Sequence, residues 1–96
     1  MLSAHTSRPR VALGMIYITP GAENLLDLCR VHPMQLLARH ASGDWGDMDQ
    51  QDKDANDQAL LTHNQVMSCY QLAKGKCYVV TEPGGHVTTI YLPSEH

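Results

Sequence analysis

Residues 65–92, QVMSCYQLAKGKCYVVTEPGGHVTTIYL, decide the fold. Gln65–Leu72 and Lys76–Glu82 are strand-like runs joined by Ala73-Lys74-Gly75, a turn composition. Pro83-Gly84-Gly85 is a second turn. Val87–Leu92 (VTTIYL) is rich in β-branched residues, and Pro93 ends it. Three strands linked by short turns predict an antiparallel meander.

Upstream of His63 the period is helical. Val11–Ile18 (VALGMIYI) is first a short apolar run that stops at Thr19-Pro20-Gly21, which predicts a strand. Thr19 then caps a helix with Pro20 at its first position, where the missing N–H costs nothing, and Glu23 lies in the favourable first turn. Leu25, Leu26, Leu28 and Cys29 give this helix an apolar side. A second helix starts at His32-Pro33, with Met34, Leu36, Leu37 and Ala41 inward and His40 near a C-terminus that welcomes positive charge. Ser42-Gly43 stops it. A third runs from about Asp49 to Leu61 with Ala55, Ala59, Leu60 and Leu61 inward. The expected class is α+β: one N-terminal strand, two or three short helices, then a three-stranded antiparallel meander packed against the helices. The pattern leaves open whether the first strand joins the meander at its edge. Residues 1–10 read as a flexible tail and 11–96 as a single domain.

At 96 residues and 43% apolar, the chain has material for one core, and 18% charge is globular rather than disordered. No apolar run approaches the length of a membrane span, and Met1–Arg10 lacks the apolar centre of a secretory signal, so a cytoplasmic protein is expected. Net charge is −3, and Arg8, Arg10 and Arg30 have no aromatics interleaved, which speaks against direct nucleic-acid binding. Cys29, Cys69 and Cys77 form no CxxC pair. If Lys74-Gly75 is a two-residue turn, Cys69 faces Val80 and Leu72 faces Cys77, so the two thiols point to opposite faces of the sheet and stay reduced.

Residues 44–57, DWGDMDQQDKDAND, hold six of the ten acidic residues: Asp44, Asp47, Asp49, Asp52, Asp54 and Asp57. With Lys53 the segment carries −5, leaving +2 for the rest of the chain. An EF-hand register from Asp47 puts Gln51, Asp52 and Gln58 where a third oxygen ligand, a glycine and a glutamate belong, so calcium is not expected. Two readings remain. In one, Asp47 or Asp49 caps the third helix, Asp52 adds to the favourable N-terminal charge, and the rest are solvated. In the other, Asp44, Asp47, Asp49, Asp52, Asp54 and Asp57 form a patterned negative face for a basic partner, with Trp45 as its aromatic anchor. Trp45 as a core residue is the competing placement.

The six histidines show no HExxH or paired-helix spacing; a composite set of His40, Asp44 and His63 is incomplete, so no metal or cofactor is expected. Ser68, Cys69 and His63 sit in no nucleophile signature, and no phosphate-cradling glycine loop occurs.

The run Arg39-His40-Ala41-Ser42-Gly43-Asp44-Trp45-Gly46-Asp47 is followed by Asp52, Asn56 and Asp57. Together with Ile18–Ala22 (ITPGA), Thr81-Glu82 and Val87–Pro93 (VTTIYLP), it resembles a family of short bacterial plasmid-related or mobile-element proteins with an RHxxGDWGD motif, over residues 11–94. The resemblance implies a mobile-element setting and brings no catalytic residue. With the acidic segment it points to a small non-enzymatic binding protein, monomeric or homodimeric, that inhibits a host defence complex (anti-CRISPR or anti-restriction) by occupying a basic nucleic-acid groove. The alternatives are a small enzyme or nucleotide-handling accessory protein using His40, Asp44 and Glu82, and an antitoxin-like partner stable only as an oligomer.

Overall fold

In the computed structural model, which describes residues 9–95, the first and last strands lie side by side. β1 (Met15–Ile18) runs parallel to β4 (Val87–Tyr91), with Ile16 opposite Thr88 and Ile18 opposite Ile90. β2 (Val66–Leu72) and β3 (Gly75–Thr81) complete a mixed sheet in the order β1-β4-β3-β2, in which β2, β3 and β4 are the expected antiparallel meander. The first strand therefore joins the meander at the β4 edge, and all three helices lie in the crossover from it to β2 at the opposite edge.

α1 (Pro20–Cys29) begins as the sequence predicts: the Thr19 hydroxyl accepts from the Ala22 N–H at 3.1 Å and proline fills the first turn. α2 (Pro33–Ala41) carries a capping box, in which the His32 ring accepts from the Met34 N–H and the Gln35 side chain accepts from the His32 N–H. α3 (Gln50–Leu61) is capped by Asp49, whose carboxylate accepts from the Asp52 N–H at 2.9 Å.

The helices cover one face of the sheet. Ala22, Leu25 and Leu26 of α1 and Leu36 and Leu37 of α2 pack on Tyr70, Cys77, Val79 and Ile90. A second cluster joins Val11, Trp45 and Val66, with Met48, Ala59 and Leu60 against it. Several expected inward positions face solvent instead. Leu28, Met34 and Leu61 are exposed, and so is Ala55. Each lies off the stripe that meets the sheet, because a short helix lying on a sheet buries a narrower face than its apolar count implies.

The β2–β3 turn is Ala73-Lys74, since Leu72 pairs with Gly75. The register is thus shifted by two residues from that of a Lys74-Gly75 turn, and Cys69 faces Tyr78 rather than Val80. An even shift keeps every side chain on its face. Cys69 and Cys77 accordingly stay on opposite faces, and all three cysteines are free. Burial pushes the Cys77 thiol up to about 11, so it remains an inert core group.

The expected tail over residues 1–10 lies outside the described residues up to Arg8. Arg10 is anchored: its N–H and that of Val11 both donate to the Ala41 carbonyl at the end of α2, and its guanidinium stands 3.6 Å from Asp57. No helix among the described residues is long and apolar enough to cross a membrane.

Candidate functional site

The acidic segment holds the edge of the sheet. β2 is an edge strand, and an edge strand turns every second N–H and C=O outward. Segment 44–47 runs beside it in a one-residue parallel bridge. The Cys69 N–H donates to the Trp45 carbonyl at 3.0 Å, and the Asp47 N–H donates to the Cys69 carbonyl at 2.6 Å. Two residues on, the Asp47 carboxylate accepts from the Gln71 N–H at 2.7 Å. Two residues back, the Asn56 amide closes on Met67 from both sides, donating to its carbonyl at 2.8 Å and accepting from its N–H at 3.2 Å. Gly46 makes this approach possible: its φ is +79°, and a Cβ there would overlap the Cys69 carbonyl oxygen.

The other predicted site residues find partners in the same frame. Asp44 accepts from Arg39 Nε at 2.7 Å and from the Gly46 N–H at 3.1 Å, and the Arg39 guanidinium holds its carboxyl below the usual range. Trp45 is 3% exposed, a core residue, with its indole N–H donating to Asp57 Oδ1 at 3.0 Å. Placement of Trp45 as an exposed anchor is therefore corrected: the ring fills the space between Val11 and Val66. Asp49 is the α3 cap. Asp54 accepts only from Gln50, one turn back, and Asp52 makes no side-chain hydrogen bond or ion pair among the described residues. Of the seven expected contact residues, five hold the fold together.

His40 is fully buried, not a surface or helix-capping group. Its Nδ1 lies 2.6 Å from Ser68 Oγ and its Nε2 lies 2.9 Å from Thr81 Oγ1. Thr81 Oγ1 is in turn 2.7 Å from Thr88 Oγ1, which donates to the Leu13 carbonyl. Counting protons fixes the direction. Thr88 uses its hydrogen on Leu13, so Thr81 donates to Thr88 and must accept from His40 Nε2–H. Nδ1 then accepts from Ser68. Burial lowers the imidazole from 6.5 to about 4, so the ring is neutral. His40, Asp44 and Glu82 do not converge: the first is buried with both nitrogens engaged, the second is paired with Arg39 at the surface, and the third is exposed past the end of β3. Among the described residues no three His, Cys, Asp or Glu side chains gather as a metal would need.

The face of the sheet turned away from α1 and α2 is rich in apolar and aromatic side chains. Alternation along the strands places Met15 and Tyr17, Met67 and Cys69, Tyr78 and Val80, and Thr89 and Tyr91 there, with Cys69 and Val80 buried and the others at least partly exposed. The Tyr78 and Tyr91 rings meet edge to face at 5.7 Å. Two open hollows mark this face. One, of about 290 Å³, has Met48, Met67, Cys69 and Tyr78 with Asp47, Asp49, Asp52 and Lys76 around them. The other, of about 310 Å³, has Val80, Thr89 and Tyr91 with Thr19, Gln65, Glu82 and Glu95. Lys76 is the one cation in either lining. The sequence carried a signal for this face in Cys77-Tyr78-Val79-Val80, a run apolar at every position rather than every second one, as a strand covered on both sides would be. For Asn56 the signal was an amide at the inward spacing of a helix otherwise poor in apolar residues.

Comparison of the chain with protein-family models, curated proteins and solved structures gives no match.

Proposed function

We propose that the protein is a non-enzymatic binding module of a bacterial mobile element, and that it engages a basic surface of a partner protein through the outer face of its sheet. One observation carries the reading: methionine and tyrosine side chains line two hollows on one face together with five carboxylates and a single lysine. Aromatic and methionine side chains supply contact area at interfaces, while the rim of like charge selects partners of opposite sign and speeds their encounter. The absence of convergence among His40, Asp44 and Glu82 favours binding over chemistry. The partner chemistry fits the basic nucleic-acid groove of a restriction or CRISPR effector, a setting that rests on the resemblance carried by Arg39–Asp47.

The relevant carboxylates are those that line the hollows without holding the fold. Asp52 and Glu82 meet both conditions, while Asp44 and Asp57 meet neither. Titration with an amphipathic Lys/Leu peptide is expected to show binding that weakens as salt rises. Asp52→Asn with Glu82→Gln is expected to lower the affinity roughly three- to tenfold with an unchanged melting temperature, as for two exposed ion pairs. Binding that ignores both salt and the double substitution would overturn the reading.

A further inference from the structure

The two edges of the sheet are finished differently. On β2, the outward groups of Met67 and Cys69 and the Gln71 N–H all have partners, supplied by Asn56 and segment 45–47. On β1, the Met15 N–H donates to the His86 carbonyl at 2.8 Å and the Thr19 N–H to the Ile90 carbonyl at 3.0 Å. These bonds fix the parity of the strand. Residues 15, 17 and 19 turn their backbone toward β4, so Ile16 and Ile18 turn theirs away from the sheet. Among the described residues nothing in the protein bonds to those four groups.

The side chains beside this edge are large and apolar on both faces. Met15 is 63% exposed and Tyr17 51% on the outer face, and Ile16 is 42% exposed on the inner one. Edges are ordinarily blunted by lysine, proline, a bulge or a covering segment. Met15–Ile18 has no charge and no proline, and it pairs with β4 without a bulge.

We infer that β1 is a docking edge for β1 of a second copy of this chain, and that the protein forms a two-fold dimer with a continuous eight-stranded sheet. The unmet groups are backbone donors and acceptors in strand geometry, which only another strand satisfies in full. Charge selects the copy. An uncharged strand placed against its own two-fold image brings no like charges together, whereas stacking two outer faces would oppose their carboxylate rims. Of the registers that parity allows, the one that satisfies all four groups within Met15–Ile18 has Ile16 exchange its hydrogen bonds with Ile18 of the other copy, so Tyr17 sits on the two-fold axis facing its own image in a non-hydrogen-bonded pair, where side chains approach most closely. Thr19, which donates to Glu95 at 2.6 Å, then lies about 14 Å along the paired strands from its own image at ~3.4 Å per residue, so the two Glu95 carboxylates sit at opposite ends of the pairing. The outer faces of the two copies become one surface. This inference is independent of the nature of any partner bound there.

Analytical ultracentrifugation of the full chain tests it, over about a hundredfold range of concentration. The expected result is a concentration-dependent dimer that Ile16→Pro abolishes. The Ile16 N–H is not part of the β4 ladder, so proline removes the intermolecular donor while leaving the monomer's own pairing intact. Should that variant fail to fold by circular dichroism, Ile16→Lys supplies the same test by placing two like charges near the axis. Amide exchange gives a second readout: the Ile16 and Ile18 amides are expected to gain protection as concentration rises. A chain that stays monomeric throughout, a dimer that survives the folded Ile16 variant, or a dimer whose Ile16 and Ile18 amides exchange freely would each overturn the inference.

Discussion

A buried imidazole with both nitrogens engaged makes His40 a pH-sensitive support. The unfolded chain protonates this ring near 6.5, whereas the folded chain resists until about 4. Between those values the unfolded state holds more protons, so stability is full above 6.5 and falls as pH drops toward 4. The loss is about 3 kcal/mol at 1.4 kcal/mol per pH unit. Chemical denaturation at stepped pH checks the slope, and an imidazole that titrates near 6.5 in the folded protein would contradict it. Trp45 is a second residue-scale test. Trp45→Ala removes a core ring, so a loss of about 3–5 kcal/mol is expected in the same assay. Gly46→Ala is expected to cost about 2 kcal/mol or more, since the left-handed backbone and the Cys69 carbonyl both oppose a Cβ.

At the scale of elements, the cover on β2 is what the acidic run does for the fold. Asn56→Ala leaves the Met67 N–H and C=O without their partners at a partly buried edge, and a loss of about 2 kcal/mol is expected, with faster amide exchange at Met67 as the local readout. The starts of α1 and α2 and the three-strand meander were legible because their signals are local: Thr19-Pro20, His32-Pro33, and turns rich in glycine and proline. The place of β1 was not, because a parallel partner some seventy residues away leaves no mark in a short run. The inward side of α3 was legible in part: Ala59 and Leu60 pack on the Trp45 cluster as expected, whereas Ala55 and Leu61 face solvent. Apolar spacing could not show the polar contact beside them, an amide clasping a strand backbone. The candidate site was legible as a concentration of charge but not as separate duties, since sequence spacing does not tell a carboxylate that caps a strand edge from one that faces solvent.

For the whole molecule, the charge divides into two populations. Asp44, Asp47, Asp49 and Asp57 work inward, on Arg39, Gln71, the α3 start and Trp45. Asp52 and Glu82 have no such duty and line the hollows of the outer face. On the proposed function, binding takes place on that face. Chemical-shift mapping of the isotope-labelled protein during titration with the amphipathic Lys/Leu peptide tests it most directly. Saturable shifts concentrated at Met67, Tyr78, Val80, Thr89 and Tyr91 are expected, with α1 and α2 unmoved. Shifts confined to α1 and α2, or none at peptide excess, would contradict it.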